Sequence, residues 1–338
     1  MGVISLFAAV RTAALVFMLV VVFAPLSDIR AEPTIGEIMN AVVEVHADIK
    51  PNARTVDSLG PSRTGSGVLI GDDGLIVTIG YIIMEADRLR VRTRAGTAVP
   101  ADFVAYDHET GFGLLRARQP IGATPLVLGN SDTLKKGARL LVVSVGQSMP
   151  VSPVEVVSRR LFAGYWEYLL DRAIYTMPPH REYGGAALVN QSGQLVGIGS
   201  LLINDAPGPR QQGHGNMFVP VAVLKPVLDS LISSGRVGHT ARPWLGVYTE
   251  ELRGQLVITR LAKEGPGENA GLHPGEVVLG VNGDRVKGMA DFFRKVRSQG
   301  SAGAEVSLDI LTYSKTDMSV RKVAVKSRDR HGWLRLAK

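Results

Sequence analysis

The chain has no cysteine among its 338 residues. That excludes a disulfide framework, a thiolate nucleophile and any thiolate-based metal site. The seven histidines show no ligand spacing, so neither a metal centre nor a cofactor is expected. The glycine-rich run GSGVLIG (65–71) is followed by no Lys-Ser/Thr pair and opens no helix, so it is a strand and turn rather than a phosphate loop. No nucleic-acid motif is present. The formal charge of +7 therefore reads as a solubilising surface, or as a preference for acidic partners.

One long apolar run is present and no second follows it. Thr12 to Pro25, TAALVFMLVVVFAP, comes after Arg11 and before Ile29-Arg30-Ala31. Residues 1–31 read as a signal peptide cleaved after Ala31, or as a retained N-terminal anchor. Either reading places the rest of the chain outside the cytoplasm. An exported chain without disulfides is held by its core alone, which suits a bacterial envelope.

From Glu32 onwards the pattern is mostly strands. A short helix is expected at Ile35 to Val42, then strands AVVEVHADI, SGVLIG and LIVTIGYII, the last two separated by the turn Asp72-Asp73-Gly74. In RLRVRTR, Arg88, Arg90, Arg92 and Arg94 share one face, either a solvated strand face or a patch for an acidic partner. AVPADFVAYD, GFGLLRA, PLVLG and RLLVVSVG continue at short spacing, which argues for an antiparallel barrel or sandwich and leaves no room for βαβ units. The first long helical pattern is Val221 to Ser234, starting near Lys225 because of Pro226, with Gly235 as its stop. A short polar linker (236–242) then leads to a second domain over residues 243–328. Its amphipathic helix is expected at Ala290 to Ser298. The remaining residues, 329–338, read as a basic, loosely ordered tail.

Three motifs in this order, TGSGVLIGDDGLIVT (64–78), GGAALVN-QSGQLVGI (184–198) and RPWLGV…AGLHPGEVVLGVNG (242–283), resemble those of the HtrA/Deg family of exported trypsin-like serine proteases. The resemblance covers about residues 36–328. It implies a mainly β fold: a trypsin-like double β-barrel over 36–235, followed by an α+β PDZ domain over 243–328.

The family's chemistry uses a serine nucleophile, a histidine base and an aspartate that orients the histidine. In the family the histidine stands in V-T-x-x-H-V-V. Here the run is Val77-Thr78-Ile79-Gly80-Tyr81-Ile82-Ile83, with Tyr81 in its place. The aspartate stands in D-x-x-x-D-[ILV]-A-[LV], and here Asp107 is followed by Gly111-Phe112-Gly113-Leu114. Aligning the family's G-N-S-G-G-A-L on Ala187-Leu188 puts Gly184 at the nucleophile. A tyrosine, with a pKa near 10, is a poor base at neutral pH, and glycine can neither attack nor orient. Loss of serine or histidine alone removes a factor of about 10⁶ in turnover. Glu182 stands where the resemblance places the oxyanion-loop glycine, and a carboxylate there repels the charge the hole must hold. The expectation is a pseudoprotease. The rival is a protease with an unorthodox centre, for which His108, His180, Ser192 and Ser200 lie nearest in sequence.

In the PDZ part the resemblance implies capture of a peptide C-terminus, the peptide adding as a β-strand. Leu245 and Gly246 of the Trp244 to Val247 loop would donate to the carboxylate, and Val247 and Tyr248 would begin the pairing strand. Met289, Phe292 and Phe293 are candidate pocket walls, or core. The implied partners are protein or peptide C-termini and extended segments. Active HtrA/Deg paralogues are further partners if the chain is a regulatory subunit. The family trimerises through aromatic residues near the mature N-terminus. Residues 32–80 contain none, so that route to an oligomer lacks its residues.

Overall fold

The structure is a computed structural model describing residues 32–336 apart from 147–148, 167–168, 210, 239–240 and 314–317. The expected signal or anchor segment, residues 1–31, lies outside the described residues. Among those described, no helix is long and apolar enough to cross a membrane.

A helix over Ile35–Ala41 opens the described chain, held by a capping box in which Thr34 and Glu37 satisfy each other's backbone N–H. The first six strands are β1 (Val42–Ile49), β2 (Ser62–Leu69), β3 (Leu75–Ile79), β4 (Ala86–Arg92), β5 (Ala98–Tyr106) and β6 (Phe112–Ala117), closed in the order β1-β2-β3-β6-β5-β4. The next six are β7 (Arg139–Val143), β8 (Val151–Ala163), β9 (Leu169–Met177), β10 (Ala187–Val189), β11 (Leu195–Ile203) and β12 (Gly215–Pro220), closed as β10-β11-β12-β9-β8-β7. Closure removes sheet edges, and alternation along β1 sends Val43, Val45 and Ala47 fully inward.

The third part is a sheet of β13 (Val247–Leu252), β14 (Gln255–Leu261), β15 (Val277–Val281), β16 (Asp284–Arg285), β17 (Glu305–Tyr313) and β18 (Met318–Lys326). The helix Met289–Arg297 packs Phe292, Phe293 and Val296 into its core. The expected fold class, two trypsin-like barrels followed by a PDZ domain, is the one observed.

Several local expectations are corrected. The apolar run after Leu75 leaves the sheet at Ile79, and Gly80–Ile83 forms one helical turn. Gly80 packs so closely on Tyr106 that a Cβ there would lie 2.3 Å from its ring. PLVLG is not a strand but a strap between the barrels: Leu126 N–H donates to Leu69 O, and Val127 O accepts from Leu195 N–H, both at 2.9 Å. The helix expected from Lys225 is regular over Leu228–Ser234, after two 3-10 turns that accommodate Pro226. The arginine face of β4 lies along β1, where Arg88 and Arg90 meet Asp48 and Arg92 meets Glu44.

The tail up to Leu336 is ordered, against the expectation. Arg330–Trp333 forms a helical turn, and Trp333 and Leu334 are buried against Met84, Tyr106, Trp244 and Ala262. The sequence signal was charge. The decisive residues are the two apolar ones between the charges, whose burial is worth a few kcal/mol each.

Candidate functional site

The cleft between the barrels collects the three positions singled out by the sequence. Tyr81 sits on the helical turn after β3, and its hydroxyl donates to Ser200 O of β11 at 3.0 Å. Gly184 lies beside it, where an added Cβ would come within 3.0 Å of the Tyr81 hydroxyl oxygen. Gly184 O accepts from Ser66 N–H at 2.8 Å. Gly185 has φ +75° and no space for a side chain, since a Cβ would stand 1.9 Å from Ser66 O. Gly111, at φ +87°, accepts a 2.7 Å bond from Gly80 N–H. The buried Tyr106 ring packs beside this pair.

The cleft is thus lined by tyrosines. Burial, with a smaller contribution from Tyr183, raises the Tyr81 pKa above the ordinary tyrosine value. Tyr81 is a neutral phenol at physiological pH, a hydrogen-bond donor and no base.

The remaining candidates lie elsewhere. His180 lies in the irregular segment after β9 and is buried there. Its Nδ1 faces Ser152 Oγ and its Nε2 faces Ser144 Oγ, each at 2.9 Å. Its backbone N–H donates to Asn216 Oδ1. His180, Ser144 and Ser152 are each no more than 3 % exposed. With both ring nitrogens engaged and no access for a substrate, the cluster is a satisfied polar core. Burial lowers the His180 pKa, partly offset by Glu182, whose carboxylate stands 3.7 Å away. His108 is half-buried, with its ring 5.4 Å from that of His331 in the tail. Burial, and then Arg330, push its pKa well down. Ser200 is buried. Ser192 lies in the turn after β10.

The expected peptide loop is in place but covered. Leu245 O accepts from Gly267 N–H and Gly246 O from Ala262 N–H, both at 2.8 Å. Gly246 adopts φ +68°. Trp244 exchanges two backbone bonds with Arg328 and packs on Trp333, ring centroids 4.7 Å apart. Val247 is fully buried, and Tyr248 lies under the Arg260 guanidinium at 4.0 Å. Met289, Phe292 and Phe293 belong to the PDZ core, against which Ala163 at the tip of β8 also packs. Asp171 of β9 pairs with Arg294 at 2.7 Å. Glu251 of β13 accepts from Met289 N–H at 2.7 Å and so ties the edge strand to the helix. The β8–β9 hairpin and Glu251 close the groove between β13 and Met289–Arg297. The sequence reading missed both. The aromatic cluster Tyr165-Trp166 in a hairpin tip was the available signal.

Residues 65–198 match the family model described as Trypsin-like peptidase domain, and residues 257–312 that of the PDZ domain. The "Probable periplasmic serine endoprotease DegP-like" of Rhizobium meliloti (strain 1021) is 29% identical over 271 residues, 74% of this chain and 51% of that protein. The chain thus joins a trypsin-like peptidase domain to a PDZ domain and is similar to HtrA/Deg proteins over most of its length. The "Probable periplasmic serine protease do/HhoA-like" of Haemophilus influenzae (strain ATCC 51907 / DSM 11121 / KW20 / Rd) is 26% identical over 274 residues, 75% of this chain and 56% of that protein. The chain spans about half the length of the curated relatives it matches. Among solved structures, the HtrA-type protease AlgW with decapeptide superposes with a TM-score of 0.52 at 22% identity, covering 87% of this chain and 97% of that one. At that identity the likeness is one of fold.

Proposed function

We propose that this chain is an HtrA/Deg-like, non-proteolytic envelope protein that holds peptide segments through its PDZ domain, as a chaperone-like or adaptor partner. The observation that carries the reading is the Tyr81 hydroxyl, bonded to Ser200 O and abutting Gly184. It stands where the family's base would meet its nucleophile, and neither chemistry is available from a half-buried phenol and a glycine. The periplasmic names of the relatives and the apolar segment before Glu32 support a periplasmic location.

Peptide binding draws on the edge strand β13 and the Leu245–Gly246 loop, the elements that the strand-addition mode requires. Access requires the β8–β9 hairpin to yield, so binding is coupled to that movement and its apparent affinity is reduced accordingly. The test is a fluorescence-polarisation screen of the full chain against a library of free C-terminal peptides and their amidated versions. The reading expects a set that binds only with a free carboxylate. A library without such binders contradicts it.

A further inference from the structure

The PDZ part and the tail overhang the emptied cleft, leaving a partly open cavity of about 260 Å³. Tyr81, Tyr106, Tyr165, Trp166, Tyr183 and Tyr248 present aromatic surface to it. Tyr165 and Trp166 meet edge to face at 4.6 Å. No carboxylate lines it among the described residues, whereas Arg260 and Arg330 both do. Arg330 is buried and donates to Trp166 O at 2.7 Å. Arg260 is exposed, lies flat on Tyr248 and makes no ion pair among the described residues. Its planar fork of donors stands at the cavity wall.

Size and charge together narrow the ligand. A dry apolar cavity of about 150 Å³ takes up one benzene ring. The larger volume here holds a ring with a short acidic arm. Aromatic walls favour an aromatic guest through offset and edge contacts. The exposed Arg260 guanidinium at the wall favours an anion, and a guanidinium binds a carboxylate with two parallel hydrogen bonds. Junctions between domains are common places for such sites.

We propose that this cavity is a binding site for a small aromatic carboxylate. The ring lies among Tyr81, Tyr183 and Tyr248, and the carboxylate meets Arg260. The ligand touches the barrels, the PDZ part and the tail at once, so its binding stabilises the docked arrangement. A polypeptide ending in phenylalanine carries the same chemistry, and the experiment separates the two sources.

The test is a titration of the full chain with 3-phenylpropionate, read by tryptophan fluorescence and by calorimetry. Its arms are 3-phenylpropionamide, an acetylated tripeptide ending in phenylalanine, and the Arg260→Gln variant. Arg260 is exposed, so that variant keeps the core, which its melting temperature verifies. The expected result is saturable binding of the acid, weakened about tenfold or more both for the neutral amide and in Arg260→Gln, as loss of a charged hydrogen-bond partner entails. Binding of the acid with or without the peptide supports the site. Binding of the peptide alone overturns the small-molecule assignment. No binding of the acid, equal binding of acid and amide, or an unaffected Arg260→Gln variant overturns the proposal.

Discussion

The Tyr81 hydroxyl donates to the Ser200 carbonyl at 3.0 Å and stands equally close to where a Cβ on Gly184 would lie. The two positions that would carry base and nucleophile are therefore coupled by sterics. A side chain at 184 and the tyrosine at 81 compete for the same space.

Reversion by Gly184→Ser alone is expected to give no proteolysis and to cost about 1–3 kcal/mol through overpacking against Tyr81. Tyr81→His combined with Gly184→Ser relieves the crowding. Gly111→Asp adds backbone strain of about 1–3 kcal/mol, because Gly111 sits at φ +87°. Chemical denaturation of the single, double and triple variants checks the order. A Gly184→Ser protein as stable as wild type contradicts it.

The tail is a structural clip. Glu85 is fully buried and accepts from Arg54 N–H, Thr55 N–H, Thr55 Oγ1 and Arg335 N–H at 2.7–3.0 Å. Burial lowers the neighbouring Arg63 pKa to about 10, partly countered by Glu85. Glu85→Ala leaves that guanidinium uncompensated and is expected to cost about 3–5 kcal/mol. Trp333→Ala is expected to cost a similar amount through its cavity. Melting curves and limited proteolysis of the C-terminal segment check both. Unchanged melting in Trp333→Ala contradicts the clip.

Acid should destabilise the fold early. His108, His180 and His331 all have pKa values lowered, chiefly by burial. The unfolded chain takes up those protons first as pH falls, so the stabilisation is complete above about pH 6.5 and is lost as pH drops towards the lower folded values. For the buried His180 the slope reaches about 1.4 kcal/mol per pH unit. Urea denaturation at pH 7.5, 6.5 and 5.5 should show a steady fall. Equal stability at 7.5 and 5.5 contradicts it.

Opening the PDZ groove should expose its binding capacity. Removing Tyr165 and the Asp171–Arg294 pair loosens the hairpin that covers it. Tyr165→Ala/Asp171→Ala is expected to raise affinity for a C-terminal peptide about three- to tenfold, as the covered population falls. Fluorescence polarisation reads this directly. An unchanged or weaker affinity means that the hairpin does not gate the groove.

The barrels were legible in the sequence because period-2 alternation and turn residues repeat at short spacing, as in β1 and the Asp72-Asp73-Gly74 turn. Tyr81, Gly111 and Gly184 were legible because each sits in a local motif. The rest depends on distant contacts. Nothing near Arg335 in sequence announces that its backbone N–H meets Glu85, 250 residues away. His180 follows Pro178-Pro179, and nothing in that run announces its burial. Its two serine partners lie 28 and 36 residues earlier in sequence, on β8 and just past the end of β7, which only barrel closure brings round.

The central claim, that the cleft carries no hydrolytic chemistry, is tested most directly by a serine-directed fluorophosphonate. The purified full chain is incubated with it and analysed by intact mass, with casein cleavage measured in parallel. The account predicts no adduct and no cleavage that survives stringent purification. A stoichiometric adduct on a serine, Ser144 beside His180 above all, with cleavage abolished by Ser144→Ala, contradicts it.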